Sequence, residues 1–365
     1  MVQIQDILNE LEEFAPSALK EDFDNVGLLV GNAATEATGV LITLDITEKV
    51  MDEAIDLGCN LVVAHHPIML SGLKKINGRN ATERIVIKAI QHNIAIYASH
   101  TNADSVINGV SGRMCEKLGL QNCKILAPKK ESLLKLVTFV PADHAEKVRE
   151  AVFAAGAGQI GNYDACSYNV NGQGTFRAGD NTRPYVGEKG QIHTEAEVRI
   201  ETILPAYQKG KVLSALWKAH PYEEVAYDLY PLANEWPSAG IGMVGDLPDE
   251  VDEATFLNRV KNKFNAGCVR YTNLLNKPVK RVAVCGGSGS FLLGKAIAEK
   301  ADVFITGDFK YHQFADAEDR ILIADIGHFE SEQYTKEVFF ELLTKKFSNF
   351  AIHLSNVNTN PVNYL

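Results

Sequence analysis

"NLVVAHHPIML", residues 60–70, is the stretch on which the reading of the fold turns. Leu61, Val62, Val63 and Ala64 form an unbroken apolar run, the pattern of a strand buried on both faces within a parallel sheet. Pro67 has no N–H to give to a ladder, so the strand ends near His65. His65 and His66 therefore stand at the C-terminal end of a strand, where open α/β sheets place their ligands. Two adjacent imidazoles there are either a hydrogen-bonded structural pair or a pair of ligands. The stretch alone leaves both readings open.

Outward from this stretch, strand and helix alternate. "GVLITLD" (39–45) predicts a strand, and Thr47 caps the helix "EKVMDEAIDLG", with Gly58 as its stop. "ATERIVIKAIQHN" (81–93) predicts a helix, "IAIYAS" (94–99) a strand, and a further helix falls near 108–118. This rhythm implies a largely parallel sheet covered by helices. It changes after "LAPKKE" (126–131), where "LLKLVTFVP", "AEKVREAVFAAG", a Gly/Asn/Tyr-rich stretch, "EVRIETILP", "GKVLSALWKAH" and "EVAYDLYPL" give the order β-α-β-β-α-β. That order is a ferredoxin-like module. "ANEWPSAG" (233–240) leads out of it, and alternation resumes with "KRVAVCGG" (280–287), "DVFITGD" (302–308), "ILIAD" (321–325) and "FAIHLSN" (350–356). The expected fold class is α/β: a discontinuous α/β domain from residues 1–127 and 240–365, with an α+β domain inserted over 128–239.

The 365 residues suffice for two domains with cores of their own. Hydrophobic residues at 46% and charged ones at 22% are those of an ordinary globular chain, and the net charge of −10 disfavours a general nucleic-acid surface. The start, "MVQIQDILNELEEF", reads as an acidic amphipathic helix with Ile4, Ile7, Leu8 and Leu11 on one face, not as a signal peptide. No apolar run reaches the roughly 18 residues of a membrane span. The six cysteines show no C-x-x-C pair, so a reduced cytoplasmic protein is expected.

The ends of the predicted strands carry the chemistry. "LVVA" runs into His65 and His66, "IAIYAS" into His100 and Asp104, "DVFIT" into Asp308 and His312, and "ILIAD" into His328 and Glu332. The strand order predicts that these ends meet along one edge of a single parallel sheet. His328 and Glu332, four apart, share one face if helical. Imidazole mixed with carboxylate suits zinc, iron, nickel or manganese better than magnesium or calcium. Four strand ends supplying such groups make a metal site a better explanation than four separate ion pairs.

"VVAHHPIML", "ASHTNAD", "CGGSGSFLLGKA", "VFITGDFKYHQFADA" and "DIGHFESE" together resemble the Nif-three-like dinuclear-metal family, often labelled type-two GTP cyclohydrolase homologues. The resemblance implies that His65, His66, Asp104, His328 and Glu332 hold two divalent metal ions, Glu332 bridging both and the two adjacent histidines serving different ions. The middle segment is similar to an insertion of the PII and CutA type found in longer members. The resemblance also implies a toroidal homohexamer with its metal sites facing an internal cavity, and its label suggests GTP ring opening; the glycine loop at 286–289 points to a metal-dependent hydrolase of a nucleotide or other phosphorylated small molecule. A non-catalytic, metal- or metabolite-responsive assembly is the alternative, with the insert binding a partner. A ring encircling DNA sits poorly with the acidic charge.

Gly286, Gly287, Ser288 and Gly289, between a strand and a helix, form either a tight turn or a nest for a substrate phosphate. "GSFLLGKA" imitates a Walker A sequence but has Ala296 in place of the hydroxyl residue, and it reads as helix. "HPYEE" (220–224) reads as a turn. His100, Asp308 and His312 are expected to orient ligands or carry a proton near the metals.

Overall fold

The computed structural model describes residues 1–365, which fold as two compact units: Met1–Ala127 with Ser238–Leu365, and Pro128–Pro237. The return to the outer unit falls at Ser238, not at residue 240 as expected. The division falls inside the long strand Trp236–Asp252, whose first two residues belong to the inserted unit.

The outer unit holds two sheets. In the first, the order is Gly27–Val30, Ala95–Ala98, Leu61–Ala64, Val40–Thr43, Ile352–Leu354, all parallel except the first. All four residues of Leu61–Ala64 are buried, which is why the strand reads as a continuous apolar run. Helix Glu48–Asp56 links two of these strands; Thr47 Oγ1 accepts from Val50 N–H at 3.3 Å at its start, and Gly58 takes φ +68° just beyond its end. Ile4, Ile7, Leu8 and Leu11 are the buried face of helix Ile4–Phe14, as their spacing predicts.

The second sheet runs Arg270–Tyr271, Leu322–Asp325, Val303–Gly307, Pro278–Ser288, Trp236–Asp252, Gln121–Lys129. Its three central strands, from Leu322–Asp325 to Pro278–Ser288, are parallel. The strand ends expected along one edge thus lie on two sheets. The two halves of the chain each bury their own apolar runs, Leu61, Val63, Val40 and Ile42 in one core and Val303, Ile305, Leu322 and Val282 in another.

The inserted unit is a four-stranded antiparallel sheet in the order Ser167–Arg177, Ile192–Pro205, Leu133–Pro141, Tyr227–Leu232. Helices Ala145–Ala154 and Lys209–Ala219 join its strands, giving the β-α-β-β-α-β succession. Leu136, Val140, Val198, Ile200 and Leu204 pack with Val148, Val152, Val212 and Leu216 of these helices as its core. No helix of the structure is long and apolar enough to cross a membrane.

Candidate metal centre

The strand Leu61–Ala64 lies between Ala95–Ala98 and Val40–Thr43, and its two terminal histidines lean toward opposite neighbours. His65 Nδ1 donates to the carbonyl of Ser99, just beyond one neighbour, at 3.0 Å. His66 Nδ1 lies 2.7 Å from Asp45 Oδ1, just beyond the other. Each ring is held through Nδ1, which directs Nε2 inward. Across from them, on the second sheet, His328 Nδ1 is held by Asp308 Oδ2 at 2.7 Å. His66 Nε2 and His328 Nε2 approach to 3.4 Å.

Glu332 occupies the centre. It closes the short helix His328–Glu332 and is buried. Its Oε2 lies 3.0 Å from His66 Nε2 and 3.1 Å from His328 Nε2, while its Oε1 lies 3.7 Å from His65 Nε2. Asp104, at the end of the short helix Thr101–Asp104, brings Oδ1 within 3.8 Å of the same His65 nitrogen. Two groups of three therefore share one carboxylate: His65, Asp104 and Glu332, and His66, His328 and Glu332. All five residues expected as ligands are brought together.

The donors suit a divalent cation. His65 Nε2 and Asp104 Oδ1 are buried with no hydrogen-bond partner, an arrangement that costs about 1–3 kcal/mol per neutral group and more for a charged one if nothing else satisfies it. With Nδ1 protonated against Ser99, the neutral ring of His65 presents a bare lone pair at Nε2. Nitrogen and oxygen donors in this mixture match zinc, iron, nickel or manganese.

The charges confirm how tightly the groups are linked. Burial disfavours charge on His66, but Asp45 and Glu332 outweigh it and raise its pKa to about 9. Burial likewise opposes charge on His328, whose pKa Asp308 and Glu332 raise to about 11. Burial would lift Glu332, yet the imidazoles of His328, His65 and His66 hold it well below the usual range. Asp104 goes the other way, pushed up to about 7 by burial and then by the charge of Glu332.

The other expected residues divide. His100 lies beside the cluster, its ring 5.2 Å from that of His65, with Nδ1 held by Asp24 Oδ1 at 2.9 Å. Asp308 orients His328. His312 is not brought to the cluster: it is exposed on helix Tyr311–Ala315 and its ring meets that of Tyr311. Gly286, Gly287, Ser288 and Gly289 are not a phosphate nest. The first three complete strand Pro278–Ser288, and Gly287 N–H is already given to Ser331 Oγ at 2.9 Å. A Cβ at Gly287 would stand 2.3 Å from Glu332 Oε1, and one at Gly289 2.4 Å from Thr306 Oγ1. The glycines admit the shared carboxylate and close packing, not a ligand. His220 of "HPYEE" is buried in a turn, its Nε2 donating to Phe139 O at 2.9 Å and its Nδ1 accepting from Tyr222 N–H at 3.1 Å.

Asp45, Asp24 and Thr359 are missing from the sequence-based set. Asp45 follows a strand that the sequence pattern identified, so the strand-end rule that picked His65 would have found it. Asp24 and Thr359 sit in irregular segments and carry no local signal. Thr359 Oγ1 donates to Asp45 Oδ2 at 2.7 Å, and a cavity of about 480 Å³ beside His66 and His328 is lined by Arg270, Phe329, Asn360 and Tyr364 among others.

Fold and cluster together define a discontinuous α/β protein with candidate metal-binding groups set between two sheet edges. The chain belongs to the Duf34/NIF3 (NGG1p interacting factor 3) family, which it matches over residues 2–361. It is 42% identical, over 99% of its length and 98% of the relative's, to a Halalkalibacterium halodurans protein named GTP cyclohydrolase 1 type 2 homolog. A Bacillus subtilis protein of the same name is 38% identical over 99% of this chain and 98% of that one. Among solved structures, a Bacillus cereus protein related to NIF3 superposes with a TM-score of 0.86 at 40% identity, covering 100% of this chain and 99% of that one.

Proposed function

We propose that this protein binds two divalent metal ions, one in each triad, with Glu332 shared between them, and that it is a metal-dependent hydrolase of a nucleotide or another phosphorylated small molecule. The observation that carries the reading is the shared carboxylate with two unsatisfied buried donors, His65 Nε2 and Asp104 Oδ1, aimed at the same space. Two ions held there by His65, Asp104, His66, His328 and Glu332 would supply an activated water and stabilisation of negative charge on an oxygen of the substrate. The chain's own residues fix the donors. Ser99 O, Asp45 and Asp308 set the tautomers of His65, His66 and His328, and Gly287 leaves room for Glu332. The cavity beside His66 and His328 gives a ligand its approach; Arg270 on its wall is already paired with Asp325 and the Phe309 carbonyl. The name carried by the curated relatives points toward a purine nucleotide.

The test is metal content by plasma mass spectrometry on wild type and on His65→Ala with Glu332→Gln, followed by turnover screening with the metal found. About two ions per chain in wild type, lost in the double variant, with turnover of a nucleotide or phosphoester, supports the proposal. Stoichiometric metal without turnover across those substrates leaves the second reading, a metal- or metabolite-responsive regulator. That reading is favoured by a cavity in the inserted unit of about 580 Å³. The homohexamer belongs to the same proposal, and light scattering that returns a monomer removes it.

A further inference from the structure

The cavity of about 580 Å³ in the inserted unit has a construction of its own. Where strands Ser167–Arg177 and Ile192–Pro205 pair, Val170 faces Arg199, Gly172 faces Glu197 and Phe176 faces His193. Directly paired residues share a face of the sheet, so Val170, Gly172, Gly174 and Phe176 share one face, the floor, with Arg199, Glu197, Glu195 and His193, the last two held to each other at 2.8 Å. The glycines leave that floor without side chains. A Cβ at Gly174 would stand 2.1 Å from Glu197 Oε2, so the carboxylate lies across this glycine.

Over the floor stand three rings. Phe176 and Tyr222 have centroids 6.2 Å apart at 58°, and Tyr185 and Tyr222 are 6.2 Å apart at 48°. They are tilted walls rather than a stack, and all three line the cavity. Glu197 accepts from Tyr222 Oη at 2.9 Å through Oε1, and no lysine or arginine lies within ion-pair distance of it. The arginines nearby do not neutralise it. Arg177 and Arg199 also line the cavity; Arg199 pairs with Glu201 at 2.9 Å and lies over the ring of Phe139, Arg177 is exposed, and Glu223 and Glu224 join Glu197 on the lining, so the carboxylates outnumber the guanidinium groups. Burial, and then Glu197 and the more distant Glu195 and Asp143, push the Tyr222 phenol up, which reports a negative field at the walls.

We infer that this cavity is a binding site for a small organic cation, an alkylammonium or guanidinium head group seated among Phe176, Tyr185 and Tyr222 with its charge on Glu197. Aromatic faces attract such cations through their quadrupoles, and an unpaired carboxylate at the base selects charge over mere bulk. Gly174 is the position that keeps the carboxylate at the base. The inference does not depend on the metal centre, whose residues all lie in the other unit.

The experiment titrates the full chain with tetramethylammonium, with methylguanidinium, with the neutral isostere neopentyl alcohol and with acetate, read by calorimetry and by saturation transfer from protein to ligand. Either cation should bind at least about tenfold more tightly than the neutral isostere, the increment expected of a desolvated cation on aromatic rings. Glu197→Gln should remove that preference, Tyr222→Ala should abolish binding, and Tyr222→Phe should keep most of it. Metal content and far-ultraviolet circular dichroism, unchanged in these variants, exclude a folding failure. Equal binding of cation and isostere overturns the inference, as does binding of acetate alone or a cation preference that survives Glu197→Gln. An aromatic surface protected only as chain concentration rises, with no response to cations, also overturns it and identifies an interface between copies.

Discussion

The two sheet edges that meet at the candidate centre are built differently. On the five-stranded sheet, His65 is fully buried and held by a backbone carbonyl, with Asp104 beside it. On the six-stranded sheet, the side chain of His328 is 40% exposed and held by a carboxylate that is itself 48% exposed. The cavity beside the cluster touches His66 and His328 but neither His65 nor Asp104. The His65–Asp104 side is an anchor held by a backbone carbonyl. The His66–His328 side is an open half, held by the carboxylates of Asp45 and Asp308 and bordering the cavity. A backbone carbonyl cannot be lost by mutation or titration, whereas a carboxylate can. The anchor half should therefore keep its geometry under changes that disable the open half.

The largest effect should come from the group common to both halves. Glu332→Gln is expected to lower metal content from about two ions per chain to well under one, by plasma mass spectrometry. If only one ion is lost, Glu332 belongs to one triad and the symmetry of the comparison breaks. Next, His328→Ala should release one ion and leave the other, while His65→Ala releases its own ion and also destabilises the fold by opening a cavity among buried residues, about 2–4 kcal/mol in a denaturant titration. Equal stability loss in the two variants would erase the distinction between anchor and open half.

Asp308→Ala and Asp45→Ala remove the carboxylates that orient His328 and His66, and each should weaken metal binding about 10–100-fold in a competition titration with a chelator. A change confined to less than about twofold would mean that the rings are set by packing alone.

The response to pH should have opposite signs with and without metal. His66 and His328 have pKa values raised to about 9 and about 11 in the metal-free protein. Above the ordinary histidine value the folded state thus holds more protons than the unfolded one, so the stability they contribute is complete below about pH 6.5 and declines as pH rises through those values. Metal must displace the same protons, so apparent metal affinity rises over that range. Melting temperatures of stripped and loaded protein measured from pH 6 to 9 should diverge. Parallel curves would remove His66 and His328 from the ligand set.

The smallest effect is expected at Thr359→Val, which deletes one hydrogen bond to Asp45 and should cost about 0.5–1.5 kcal/mol of stability or a few-fold in affinity at the open half alone.

Legibility in the sequence followed the range of the forces involved. Leu61–Ala64 was readable because burial on both faces imposes an uninterrupted apolar run, and Thr47 and Gly58 were readable because a helix end needs its own cap and stop. The β-α-β-β-α-β order of the insert was readable for the same reason. The strand-end rule singled out His65, His66, His100, Asp104, Asp308, His328 and Glu332 because residue type and position along one strand are both local, whereas the choice of five ligands among them came from the family resemblance. It failed at His312, which stands one helical segment beyond its strand and turns outward, and at the glycines, whose purpose depends on Glu332 from elsewhere in the chain. It also assigned to one sheet what belongs to two, since pairing partners are set by contacts between distant segments.

The sequence by itself determined the elements, the inserted module and the residue types gathered at strand ends, because propensity, burial period and capping act over a few residues. Only the tertiary structure decided that His65 and His66 turn to opposite neighbours, that Glu332 stands between two triads, and that Asp45, Asp24 and Thr359 support the rings. Those outcomes depend on which strands lie side by side, and that choice is made by the packing of the whole chain.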